Sequence, residues 1–75
     1  MSTPSLSETE AAVLQAVHAE GSADLYDLAR AVGTGPRAVQ DAVQSLSRAT
    51  LVVVSEQGRR VACTPAGEER ARAMQ

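Results

Sequence analysis

The sequence feature that most constrains the fold is Gly33-Thr34-Gly35-Pro36, a break set between two apolar stripes of helical period. Ahead of it, Leu25, Leu28, Ala29 and Val32 recur at the spacing that places residues on one helix face. Behind it, Val39, Ala42, Val43 and Leu46 do the same. Glycine ends a helix by entering left-handed backbone space without penalty, and proline suits a first helical position, where no N–H is needed. The pattern predicts helices over about Leu25–Val32 and Pro36–Ala49, joined by a tight turn.

The flanks extend this pattern. Ser7 followed by Glu10 is a capping box, so a first helix is expected from about Glu8 to Ala19, burying Val13, Leu14 and Val17 and ending at Gly21. Ser22-Ala23-Asp24 reads as a short extended link, with Asp24 capping the next helix. From Leu51 to Glu56 the period changes and β-branched residues dominate; Gln57-Gly58 supplies a turn, and Arg59 to Thr64 returns as a second strand. Thr64-Pro65 then starts a helix that runs to about Met74, with Ala66, Ala71, Ala73 and Met74 expected to cap the core. The fold class is α+β, mostly α: a three-helix core, a two-stranded β-hairpin and a short C-terminal helix. Residues 1–5 are expected to be a disordered N-terminus, and residues 6–75 one domain.

Composition narrows the function. Cys63 is the only cysteine, which fits a reducing, cytoplasmic setting. The start lacks a basic stretch followed by an apolar one, so no signal peptide is expected. The longest apolar run, Leu51-Val52-Val53-Val54, is far short of the roughly 18 residues of a membrane helix, so no membrane partner is expected. No phosphate-cradling loop, nucleophile pair or metal-ligand spacing is present, and His18 has no neighbouring ligand; the chain reads as a non-enzyme without metal or cofactor.

Net charge is −2, but it is polarised. Residues 1–29 carry Glu8, Glu10, Glu20, Asp24 and Asp27 with no arginine; residues 30–60 carry Arg30, Arg37, Arg48, Arg59 and Arg60 against Asp41 and Glu56. A chain divided in this way can present one basic face whatever its total charge. Two helices joined by a Gly-containing turn form a helix-turn-helix, whose second helix enters the DNA major groove, and the hairpin behind it forms a wing.

Leu28-Ala29-Arg30-Ala31-Val32-Gly33, followed by Val39, Val43, Leu46 and Leu51-Val52, resembles the winged-helix core of MarR-type bacterial transcriptional regulators. Thr64-Pro65-Ala66-Gly67 is similar to the Thr-Pro-Ala-Gly that follows the wing in that family. The resemblance covers about residues 6 to 70. It implies a sequence-specific regulator of double-stranded DNA, with Thr34, Gly35, Pro36, Arg37, Ala38, Gln40, Asp41, Gln44 and Arg48 facing the major groove. Arg and Gln suit base edges, because a guanidinium can bridge the two acceptors of guanine and an amide can pair bidentately with adenine. MarR-type proteins usually carry further terminal helices that build a dimer, so at most a weak homodimer is expected of this chain.

Plainer readings stand beside these. Polar residues opposite a buried stripe also make an ordinary solvated helix face. Asp41, four residues after Arg37, is expected to pair with it. Arg59 and Arg60, expected at the wing tip, suit a narrow minor groove or phosphate, or simply protect a strand edge. Cys63 reads as a buried inert thiol. Tyr26 either reaches phosphate or packs at the core edge. The run Val52-Val53-Val54 either marks a partner surface or is covered on both faces. The alternative function is a winged-helix module that docks a protein partner without touching DNA.

Overall fold

The computed structural model describes residues 6–74; the expectation for the first five residues lies outside the described residues. Helix α1 (Glu8–Glu20) begins at the expected capping box. Ser7 Oγ accepts from the Glu10 amide at 3.1 Å, and Glu10 Oε1 accepts from the Ser7 amide at 2.8 Å. Gly21, at φ +83°, closes the helix. Strand β1 (Ser22–Asp24) comes next, then α2 (Leu25–Val32), whose first turn is capped by Asp24 Oδ1 accepting from the Tyr26 amide at 2.9 Å. Gly33 adopts the left-handed conformation, φ +80° and ψ 30°, and Pro36 opens α3 (Pro36–Arg48) at its first turn.

Strands β2 (Val52–Ser55) and β3 (Arg60–Cys63) form the expected hairpin. Its connection is longer than the Gln57-Gly58 turn read from sequence. The last pair is Ser55 with Arg60, and the intervening turn has Glu56 at φ +51° and Gln57 at φ +60° ahead of Gly58. The segment read as an extended link joins this hairpin as a third strand. β1 pairs antiparallel with β3 through Ser22↔Ala62, Ala23↔Val61 and Asp24↔Arg60, giving the strand order β1-β3-β2. Helix α4 (Pro65–Ala73) completes the chain, with Thr64 as its cap.

The core is aliphatic. Val13, Leu14 and Val17 of α1 meet Leu28 of α2, Val39, Val43 and Leu46 of α3, and Val52 and Val61 of the sheet, all at 3% exposure or less. No polar or charged residue is buried among them. Branched aliphatic side chains interlock without needing hydrogen-bond partners, so this small set specifies one packing. On α4 Gly67 and Ala71 are buried and Met74 packs partly against the core; Ala66 and Ala73 face outward, so the helix caps the core along one narrow line.

Cys63 is half-buried, with Sγ 4.0 Å from the Leu14 carbonyl. His18 Nδ1 is enclosed without a hydrogen-bond partner among the described residues. Among those residues no group of His, Cys, Asp and Glu gathers as metal ligands, and no helix is long and apolar enough to cross a membrane.

Candidate nucleic-acid interface

Helix α3 turns four aliphatic residues inward, so its opposite side is fixed by the same packing. Arg37, Gln40, Asp41, Gln44 and Arg48 are all exposed along that side, with Gly35, Pro36 and Ala38 exposed at its start and Thr34 half-buried. Arg37, Gln40, Gln44 and Arg48 follow one another at three or four residues, which makes a continuous ridge, with Asp41 beside it. Among the described residues, the ion pairs are Arg30–Asp27 at 2.6 Å, Arg59–Asp24 at 3.8 Å and Arg60–Glu56 at 3.9 Å. The expected Arg37–Asp41 pair does not form. Both side chains are exposed, where an ion pair contributes little to stability. Arg37 and Arg48 therefore stand without a carboxylate partner among the described residues.

A groove of about 440 Å³ runs between α3 and the wing. Leu25, Val43 and Val54 line it with Gln40, Gln44, Ser47 and Arg48, and with Gly58 of the wing turn. Alternation along β2 turns Val52 and Val54 to the same face, yet Val52 is 2% exposed and Val54 38%. The strand outruns the core at Val54, which faces this groove instead. Val53, on the other face, is 55% exposed, so the valine run is not covered on both sides. Sequence reading missed Leu25, Ser47, Val54 and Gly58 as parts of this surface. Ser47 was findable, three residues after Gln44 on the same ridge; the others come from three separate elements.

The wing arginines occupy the expected end of the hairpin. Arg59 lies in the turn that joins β2 to β3, and Arg60 pairs with Ser55 at its edge, so both stand at the turn end of the hairpin; β1 also pairs along β3 as far as Arg60, and the Arg59 carbonyl accepts from the Leu25 amide at 2.8 Å. Arg59 approaches Asp24, the α2 cap. Arg60 lines a second hollow of about 510 Å³, between α1, β1 and α2, alongside Glu20, Asp24 and Asp27. The structure thus brings Gln40, Gln44 and Arg48 onto one groove, leaves Arg37 and Asp41 on the same ridge beside it, and sets Arg60 in acidic surroundings. Tyr26, 57% exposed at the start of α2, does not pack at the core edge.

This arrangement of helices and sheet is the winged helix-turn-helix of MarR-type transcriptional regulators, as solved structures show. Bordetella bronchiseptica BpsR, described as a protein whose DNA binding is regulated by 6-hydroxynicotinic acid, superposes with a TM-score of 0.85 at 26% identity, over 92% of this chain and 52% of its own. A variant of Lactococcus lactis ZitR gives 0.85 at 22%, over 99% and 53%, and NadR in complex with 4-hydroxyphenylacetate gives 0.83 at 19%, over 91% and 52%. The chain spans about half the length of these relatives. It belongs to the HVO_A0114 family, whose model matches residues 5–69. No curated protein sequence matches the chain.

Proposed function

We propose that this chain is the DNA-reading domain of a transcriptional regulator, with α3 lying in the major groove of double-stranded DNA. One observation carries the reading: the exposed ridge of α3 holds Arg37, Gln40, Gln44 and Arg48 with no carboxylate within ion-pair distance of either arginine among the described residues. A guanidinium can bridge the two acceptors of guanine, and a glutamine amide can pair with adenine. Thr34, Gly35, Pro36 and Ala38 let the helix start approach closely, because none of them is bulky. Asp41 accepts from a cytosine amine if it meets a base, and repels phosphate otherwise. A single winged helix covers a short half-site, so useful affinity calls for two copies on one operator. A mobility shift on mixed duplex fragments at low salt tests the reading. A shift that disappears as salt rises supports it, and absence of any shift removes it.

A second reading, a module that docks a protein partner, rests on different residues: Tyr26 and Val53, both more than half exposed. Substituting Tyr26 and Val53 by serine would abolish such docking and leave DNA binding intact.

A further inference from the structure

We infer that β2 is a self-pairing edge: two copies of this chain join β2 to β2, antiparallel about Val53, so that their sheets become one. The inference stands independently of the DNA-binding reading. Strand order β1-β3-β2 leaves β2 with a neighbour on one side only. Along an antiparallel ladder, alternate residues of a strand bond to that neighbour. The Thr64 amide donates to the Leu51 carbonyl at 3.1 Å, in line with the β2–β3 register, which fixes the alternation. Val53 and Ser55 therefore turn their main-chain groups to β3. Val52 and Val54 turn theirs to the open side, where no other element bonds them among the described residues.

A second copy fits that edge group for group. With Val53 set opposite Val53 of the second copy, Val52 falls opposite Val54 and Val54 opposite Val52. Each of these outer pairs exchanges two hydrogen bonds, so the open amide and carbonyl of both residues find partners. Val53 then occupies the position between bonded pairs, where facing side chains come closest. It is 55% exposed in the single chain, and its copy would cover it. The twofold axis of such a pair stands normal to the sheet, which keeps both inner faces, and the α3 helices packed on them, on the same side.

Charge and edge chemistry favour the same occupant. Ala49 to Ser55 contains no charged residue, so the strand meets its own copy without like-charge repulsion. Exposed edges are commonly guarded by a lysine, a proline or a bulge, and β2 has none of these: its register with β3 is unbroken. An edge of four residues is short of the roughly 1,200 Å² at which stable interfaces begin, so the pair forms at high concentration and separates on dilution. The contact uses the same edge in both copies and therefore closes at a dimer.

Sedimentation equilibrium from roughly 10 µM to 1 mM brackets an affinity of this weak kind. The unmodified protein should pass from monomer to dimer across that range. Amide hydrogen exchange at the two ends of the range reads the edge itself: the Val52 and Val54 amides should slow severalfold at high concentration, while exposed amides away from β2 keep their rates. Val53→Lys and Val53→Glu each set like charges face to face across the axis, and each should stay monomeric. An equal mixture of the two sets opposite charges there and should dimerise again, which also shows that both variants fold. A protein that stays monomeric at about 1 mM overturns the inference. So do assemblies larger than a dimer, a dimer whose Val52 and Val54 amides exchange unchanged, single variants that pair as well as the unmodified chain, or a mixture that remains monomeric.

Discussion

Gly67 of α4 lies directly against the backbone of Leu51: a β-carbon at position 67 would stand 1.8 Å from the Leu51 carbonyl oxygen and 2.8 Å from its carbon. That carbonyl also accepts from the Thr64 amide at 3.1 Å, while Thr64 Oγ1 donates to the Thr50 carbonyl at 2.6 Å and accepts from the Gly67 amide at 3.0 Å. Thr64-Pro65-Ala66-Gly67 is therefore a joint that fixes α4 onto the end of α3. Alanine improves an exposed helix position by about 1 kcal/mol over glycine. Here the obstacle is backbone that cannot rotate away. Gly67→Ala is expected to destabilise the domain by about 1–3 kcal/mol or more, the usual cost of overpacking. Urea denaturation measures it, and a stabilised variant would show that α4 does not dock this way.

Leu46 is fully enclosed at the centre of the core. Leu46→Ala should cost ~2–5 kcal/mol through lost burial and the cavity left behind. A domain this size has little more than ~3–5 kcal/mol in reserve, so the variant should be largely unfolded at 37 °C. A melting temperature only a few degrees lower would contradict the packing described.

The Cys63 thiol is pushed above its ordinary range, first by burial and second by the negative charge of Glu68. In the folded protein the neutral thiol is favoured; in the unfolded chain ionisation occurs at the ordinary pKa. The stability linked to this group is thus fully present below the unfolded pKa, about 8.5. It is lost as pH rises through the higher folded value. Stability should decline in mild alkali, Cys63→Ala should remove that part of the decline, and alkylation of the native thiol at neutral pH should be slow. Rapid labelling under native conditions would contradict the half-buried placement.

Much of this was legible in the sequence because it is local. The Ser7–Glu10 box, the Asp24 and Thr64 caps, the Gly33 break and the α3 stripe each depend on residues within four positions of one another. β1 was not legible: three residues are too few to show alternation, and the pairing of Ala23 with Val61 joins distant parts of the chain. The same pairing brings Asp24 alongside Arg60 and the nearby Arg59, carboxylate neighbours that the hairpin alone did not reveal. The ridge of α3 could be read as a surface, but its groove could not. Leu25, Val54 and Gly58 reach that groove from three different elements, and only the tertiary fold brings them together.

The most direct test of the central claim, that α3 reads double-stranded DNA, is selection of binding sites from a random duplex pool, followed by affinity measurement on the enriched and a scrambled site. The unmodified protein should enrich a defined short motif. Arg37→Ala should reduce its preference for that motif over the scrambled site by ~1–3 kcal/mol, the worth of one guanine contact. Failure to enrich any motif, or an Arg37→Ala variant that keeps the full preference, would contradict the assignment of α3 as the reading helix.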